Sequence, residues 1–65
     1  MVTVVIQPGG ETITFPRLNT VTQLLGKLKL KPTEVLVIRG RELLTADRRI
    51  APGDELIVRS VISRG

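Results

Sequence analysis

The sequence predicts an α+β fold, a mixed sheet of four to five strands packed on one helix in the order ββαββ(β). Three observations predict it. Branched runs near both ends of the chain, MVTVVIQ at residues 1–7 and ELIVRSVI at residues 55–62, read as strands. One stretch changes period: Val21, Leu24, Leu25 and Leu28 fall at i, i+3, i+4 and i+7, a single apolar helix stripe. Between these lie turn signals at Pro8-Gly9-Gly10, Gly40-Arg41 and Pro52-Gly53.

Taken in order, residues 1–7 and Glu11–Phe15 (ETITF) form two strands joined by the Pro-Gly-Gly turn, a hairpin closed by Pro16. In ETITF, Ile13 and Phe15 share one face and Thr12 and Thr14 the other. Thr20-Val21-Thr22-Gln23 has the form of a capping box, with a threonine oxygen for an orphan helix N–H and a glutamine three residues on. Lys27, Lys29 and Lys31 lie at or beyond the helix end, where cations suit the macrodipole, and Pro32 forbids continuation.

Residues 34–39 (EVLVIR) are the third strand. Arg39 is expected to face water, with Val35 and Val37 on the same face, and Leu36 and Ile38 to point inward. Glu42–Leu44 is a short fourth strand, and residues 45–52 an irregular loop pinned by Ile50. In the last strand, Arg59 and Ile57 face out and Leu56 and Val58 in. The first and last strands are long and branched, as expected of a parallel central pair. The expected core is Leu24, Leu28, Leu36, Ile38, Leu56 and Val58. The expected outward cluster is Val35, Val37 and Ile57, edged by Arg39 and Arg59, and a small domain with little apolar material to spare points to such a cluster as a partner-docking face.

Composition bounds the function. Sixty-five residues allow one domain, residues 1–65 with a short exposed tail at 63–65. A chain of this size buries only roughly 60% of its unfolded surface, which leaves no room for a deep substrate cavity. Cysteine and histidine are both absent, removing disulfides, thiolate metal sites and the commonest general base. No apolar run approaches a membrane span and no signal peptide opens the chain, so the expectation is a cytoplasmic protein. The net charge of +4 and pI near 10.8 serve solubility or an acidic partner, RNA or protein. The cations are dispersed and Phe15 is the only aromatic residue, so direct nucleic-acid binding is not expected.

Catalytic constellations are equally sparse. Asp54 and Glu55 are adjacent and point to opposite faces of a strand, so they form no acid–base pair. Ser60 and Ser63 have no histidine to activate them, and no phosphate-binding loop is present. The expectation is a protein that is not an enzyme, with no metal site and no bound cofactor. Its most informative stretch is VRSVISRG, where a central strand gives way to Ser63, Arg64 and Gly65. A glycine carboxylate is ionised at neutral pH and is a poor electrophile until activated, for instance as an acyl adenylate. Glycine suits that chemistry because it has no Cβ to obstruct a narrow cleft.

The whole chain resembles the small ubiquitin-like sulfur carriers of the ThiS/MoaD family. The residues that carry the resemblance are Thr20-Val21 with Leu24-Leu25, Leu30-Lys31-Pro32-Thr33-Glu34-Val35, Arg39-Gly40-Arg41-Glu42-Leu43-Leu44-Thr45, Pro52-Gly53-Asp54-Glu55-Leu56, and Val61-Ile62-Ser63 followed by Gly65. Across RGRELLT and VISRG it looks most similar to the TtuB-like carriers of tRNA thiolation. The resemblance implies a β-grasp fold and a carrier whose terminal glycine, here Gly65, is adenylated with ATP by an E1-like enzyme. It further implies a cysteine desulfurase or other sulfur donor, a C-terminal thiocarboxylate, and a downstream sulfurtransferase or synthase in tRNA thiolation or in thiamine- or molybdopterin-type biosynthesis. Family members end in two glycines, whereas Arg64 occupies the penultimate position here. The alternative function is a non-covalent β-grasp module for protein or RNA interaction, with no C-terminal chemistry.

Overall fold

The computed structural model describes residues 1–61. Within them, strands β1 (Val2–Gln7) and β2 (Glu11–Phe15) precede helix α1 (Val21–Leu28), and β3 (Val35–Arg39), β4 (Glu42–Leu44) and β5 (Glu55–Ser60) follow. The α+β class with one helix is as expected. The strands make one mixed sheet in the order β2-β1-β5-β3-β4, with β1 and β5 parallel and the other pairs antiparallel. β5 is therefore the middle strand, and β2 and β4 are the edges. β5 ends at Ser60, two residues short of the expected strand end, and Val61 N–H donates to the Glu34 carbonyl at 3.0 Å.

The β1–β2 turn closes with Gly10 N–H on the Ile6 carbonyl at 2.6 Å, and Gly10 takes a φ of 79° that disfavours any side chain. Thr20 caps α1 from an extended conformation, its Oγ1 accepting from Gln23 N–H at 3.2 Å. Gln23 Oε1 reaches back one residue further than the usual box, accepting from Asn19 N–H at 2.6 Å. The loop at residues 45–52 satisfies more of the helix start: Val21 N–H donates to the Arg48 carbonyl and Thr22 N–H to the Ala46 carbonyl. Ile50, buried, holds that loop down, and its N–H donates to the Asn19 carbonyl at 2.8 Å.

At the other end of α1, Lys29 adopts a left-handed conformation with φ 58° and ψ 40°. Lys29 N–H bonds the Gly26 carbonyl and Leu30 N–H bonds the Leu25 carbonyl, a Schellman termination in which lysine occupies the position glycine usually fills.

The core lies between α1 and one face of the sheet. Val2, Val4, Leu56 and Val58 supply its floor from the central strands, and Val21, Leu24 and Leu25 its roof. Leu18, Leu44 and Ile50 seal its margins, and no polar side chain is buried among the described residues. Leu24, Leu56 and Val58 stand where the sequence placed them. Leu28 is only half-buried, packed against the cluster from its edge.

The two faces of β3 are the reverse of the expectation. Val35 and Val37 are buried at 7% and 3% exposure, whereas Leu36 is 39% exposed and Ile38 half-buried. Arg39 does share a face with Val35 and Val37, but that is the helix-side face. Its position at the end of the strand, beyond the core, lets its guanidinium turn to Asp54 and Glu42. The cation therefore marked the end of the strand and not its wet side. The pairings Val37↔Val58 and Val37↔Leu44 fix this register.

Candidate docking face

Strand alternation and register together build the open side of the sheet. Opposite the helix, one row of side chains crosses all five strands: Thr12 beside Val5, Val5 beside Ile57, Ile57 beside Ile38, and Ile38 beside Leu43. Val5, Ile57 and Ile38 are half-buried by one another, and Leu43, at the edge, is 60% exposed. The next rung runs Gln7, Arg59, Leu36. Arg59 is exposed and stands directly between the flank of β1 and Leu36. Next to this surface, a shallow hollow includes Thr3, Val5, Gly40, Glu55 and Ile57. A second apolar groove continues around the β4 edge from Leu36 and Leu43 to Pro32, Leu25 and Ala46.

Of the residues expected to dock a partner, Ile57 and Arg59 lie on this open face. Val35 and Val37 do not, because they are buried under α1. Arg39 does not either, because its charge is engaged. Its Nη1 donates to Asp54 Oδ2 at 3.0 Å and to the Arg49 carbonyl at 3.3 Å, and its Nη2 donates to Glu42 Oε1 at 3.2 Å. Val5, Leu36, Ile38 and Leu43 take their places. The signal for Leu43 was present in the sequence: in a three-residue edge strand, two adjacent leucines cannot both face inward. The residues expected to carry acyl chemistry, Ser63, Arg64 and Gly65, lie outside the described residues.

The charged cluster at the end of β3 is a clamp on the loop that precedes β5. Asp54 Oδ2 accepts from Ala51 N–H at 2.9 Å as well as from Arg39, and Arg48 Nη2 donates to Glu42 Oε2 at 3.0 Å. The Ala51 N–H, with Arg39 second, holds the Asp54 carboxyl below its ordinary range. Arg48 first, then Arg39, does the same for Glu42. The Thr45 hydroxyl lowers Asp47, and Asp54 and Glu42 raise the Arg39 guanidinium. Each of these carboxylates is driven further into its charged form, the direction that favours a fixed ion pair over proton transfer at neutral pH.

Among the described residues, no cluster of three or more aspartate or glutamate side chains has the geometry to hold a metal ion. No helix among them is long and apolar enough to cross a membrane. What the face offers chemically is an apolar strip four strands wide, from Val5 through Ile57 and Ile38 to Leu43, with the Arg59 cation beside it, on a sheet whose other side carries the core. In comparisons with known proteins, no family model matches the chain and no curated protein matches it.

Proposed function

We propose that this chain is a β-grasp sulfur carrier of the ThiS/MoaD type, with Gly65 as the residue that carries the acyl group. The observation that supports this reading best is the position of β5. It is the middle strand, hydrogen-bonded to β1 on one side and β3 on the other, and its Ile57 lies in the centre of the open apolar row. A partner seated on that row is aligned with the chain that follows Ser60. Residues 61–65 reach at most about 18 Å when extended, enough for Gly65 to enter a cleft while the sheet stays docked outside.

The chemistry belongs mostly to the partners. A carboxylate oxygen of Gly65 attacks the α-phosphorus of ATP in an E1-like enzyme, pyrophosphate leaves, and an acyl adenylate forms. The sulfur of a hydrosulfide or of an enzyme persulfide then attacks the acyl carbon, and AMP leaves. With a persulfide, a second thiol must cleave the sulfur–sulfur bond to free the thiocarboxylate. A cysteine desulfurase supplies such a persulfide, and a sulfurtransferase or synthase consumes the product. The carrier contributes a docking face and a glycine whose missing Cβ leaves the acyl carbon open to attack.

The test is intact-mass analysis after incubation with the activating enzyme, ATP and a sulfur donor. Replacement of oxygen by sulfur adds about 16 Da at the group expected to undergo acyl transfer. Deleting Gly65 abolishes the gain, and Arg64→Gly preserves or accelerates it. A native chain that binds the enzyme but shows no gain is instead a non-covalent docking module.

A further inference from the structure

We propose that β2 is a self-association edge, through which two copies of the chain pair antiparallel with Thr12 of one opposite Thr14 of the other. The directions of the backbone groups set this up. Thr3 N–H donates to the Asp54 carbonyl on the β5 side, and the Ile6 carbonyl accepts from Gly10 on the β2 side. Odd residues of β1 therefore bond toward β5 and even ones toward β2. Through the pairs Val4↔Ile13 and Ile6↔Glu11, it follows that Glu11, Ile13 and Phe15 bond inward to β1. Thr12 and Thr14 turn their N–H and C=O groups to the open edge, where β2 has no second neighbour among the described residues.

This edge lacks the usual protection. Exposed edges are commonly blunted by lysine, proline, a bulge or short length. β2 has five residues with none of the first three, and its single charge, Glu11, sits at one end. The opposite edge, β4, is only three residues long, and its Glu42 is held by Arg39 and Arg48. β2 is also complementary to itself. Centred on Ile13 opposite Ile13, an antiparallel pairing sets Thr12 against Thr14 twice and Glu11 against Phe15, so no like charges meet. It also brings each Glu11 toward Arg17 of the other copy, one step diagonally away. Pro16, which has no N–H, ends the ladder at both sides, leaving four main-chain hydrogen bonds.

So short a ladder forms a small interface, and the dimer is weak, with a dissociation constant of roughly 0.1–1 mM. The pairing joins two sheets into one and sets the two open apolar rows, each beginning at Thr12, side by side.

Sedimentation equilibrium of the full chain from about 10 µM to about 1 mM tests the proposal over the range that such an affinity requires. The expected result is a reversible monomer–dimer equilibrium in which amide exchange at Thr12 and Thr14 slows as concentration rises. Thr12→Lys with Thr14→Lys places lysine against lysine at both pairings and yields monomer throughout. Thr12→Lys with Thr14→Glu places opposite charges there and dimerises at least as well as the native chain. Both pairs of substitutions are on exposed side chains, and circular dichroism verifies their folding. A native chain that stays monomeric to the highest concentration overturns the proposal. A dimer indifferent to the double lysine change, or one that the Lys/Glu pair disrupts equally, also overturns it, as does a dimer that Leu43→Glu on the open face abolishes.

Discussion

Arg39 and Asp54, fifteen residues apart, meet through Arg39 Nη1 and Asp54 Oδ2 at 3.0 Å, and the same carboxylate oxygen caps the loop at Ala51 N–H. One oxygen thus joins the end of β3 to the turn that starts β5.

That junction makes stability depend on acid. Asp54 has a lowered pKa in the folded chain, so its contribution is fully present above the unfolded carboxylate value of about 3.9 and is lost as pH falls through the lower folded value. Glu42 and Asp47 are shifted in the same direction and add to the same loss. Thermal melts should show the native chain declining below about pH 4 more steeply than Asp54→Asn, which is less stable at pH 7 but has one fewer group to protonate. Parallel pH profiles for the two proteins would rule out this role for Asp54.

The face assignment of β3 and β5 predicts unequal costs for the same change. Leu56→Ala, at 1% exposure, should destabilise by about 2–5 kcal/mol. Leu36→Ala, on the open face, should cost under about 1 kcal/mol. Urea denaturation of the two variants measures the difference, and comparable losses would mean that Leu36 is buried in solution.

Lys29 holds a left-handed backbone conformation that a Cβ disfavours. Lys29→Gly should therefore stabilise the chain, by about 0.5–1 kcal/mol after the greater freedom of glycine in the unfolded state is counted. The readout is the shift in denaturation midpoint. A loss of stability would show that the lysine side chain contributes more than its backbone strain costs.

If the open face docks the activating enzyme, Ile57→Glu and Leu43→Glu should each weaken binding at least tenfold, about 1.4 kcal/mol, with the fold retained. Val37→Glu should instead unfold the chain, because it buries a carboxylate under α1. Titration calorimetry and circular dichroism on the three variants separate these outcomes. Unchanged affinity for both surface variants would assign the docking elsewhere.

Most of the local structure could be read in the sequence because it depends on neighbours in the chain. Thr20 and Gln23 announced the helix start, and the Pro-Gly-Gly turn announced the hairpin. The sides of β5 followed from Arg59, a charge within the strand that makes no ion pair among the described residues. β3 was harder, since Val35 and Val37 on one side and Leu36 and Ile38 on the other are equally apolar. Only pairing with Val58, some twenty residues further on, decides between them. Arg39 misled for a related reason: besides Glu42 nearby, it is held by Asp54, which is distant in sequence. The helix end was only partly marked, because a lysine fills the left-handed position where glycine would have signalled it. The open face was accordingly only partly legible: Ile57 and Arg59 were placed on it, and Val5, Leu36, Ile38 and Leu43 were not.

The parallel pairing of β1 with β5 bears on how the chain comes into being. Val4 must find Leu56 and Ile6 must find Val58, so the two strands at the middle of the sheet are separated by almost the whole sequence. On a ribosome, the β1–β2 hairpin and α1 emerge early, yet the floor that β1 helps to form under α1 is missing its central strand until residues 55–60 have left the exit tunnel. The hairpin and helix are each too small to be stable alone. Folding therefore waits for residues 55–60 and then proceeds in one step. Such dominance of distant contacts slows the search, and until residues 55–60 are available MVTVVIQ stays uncovered and open to chaperones.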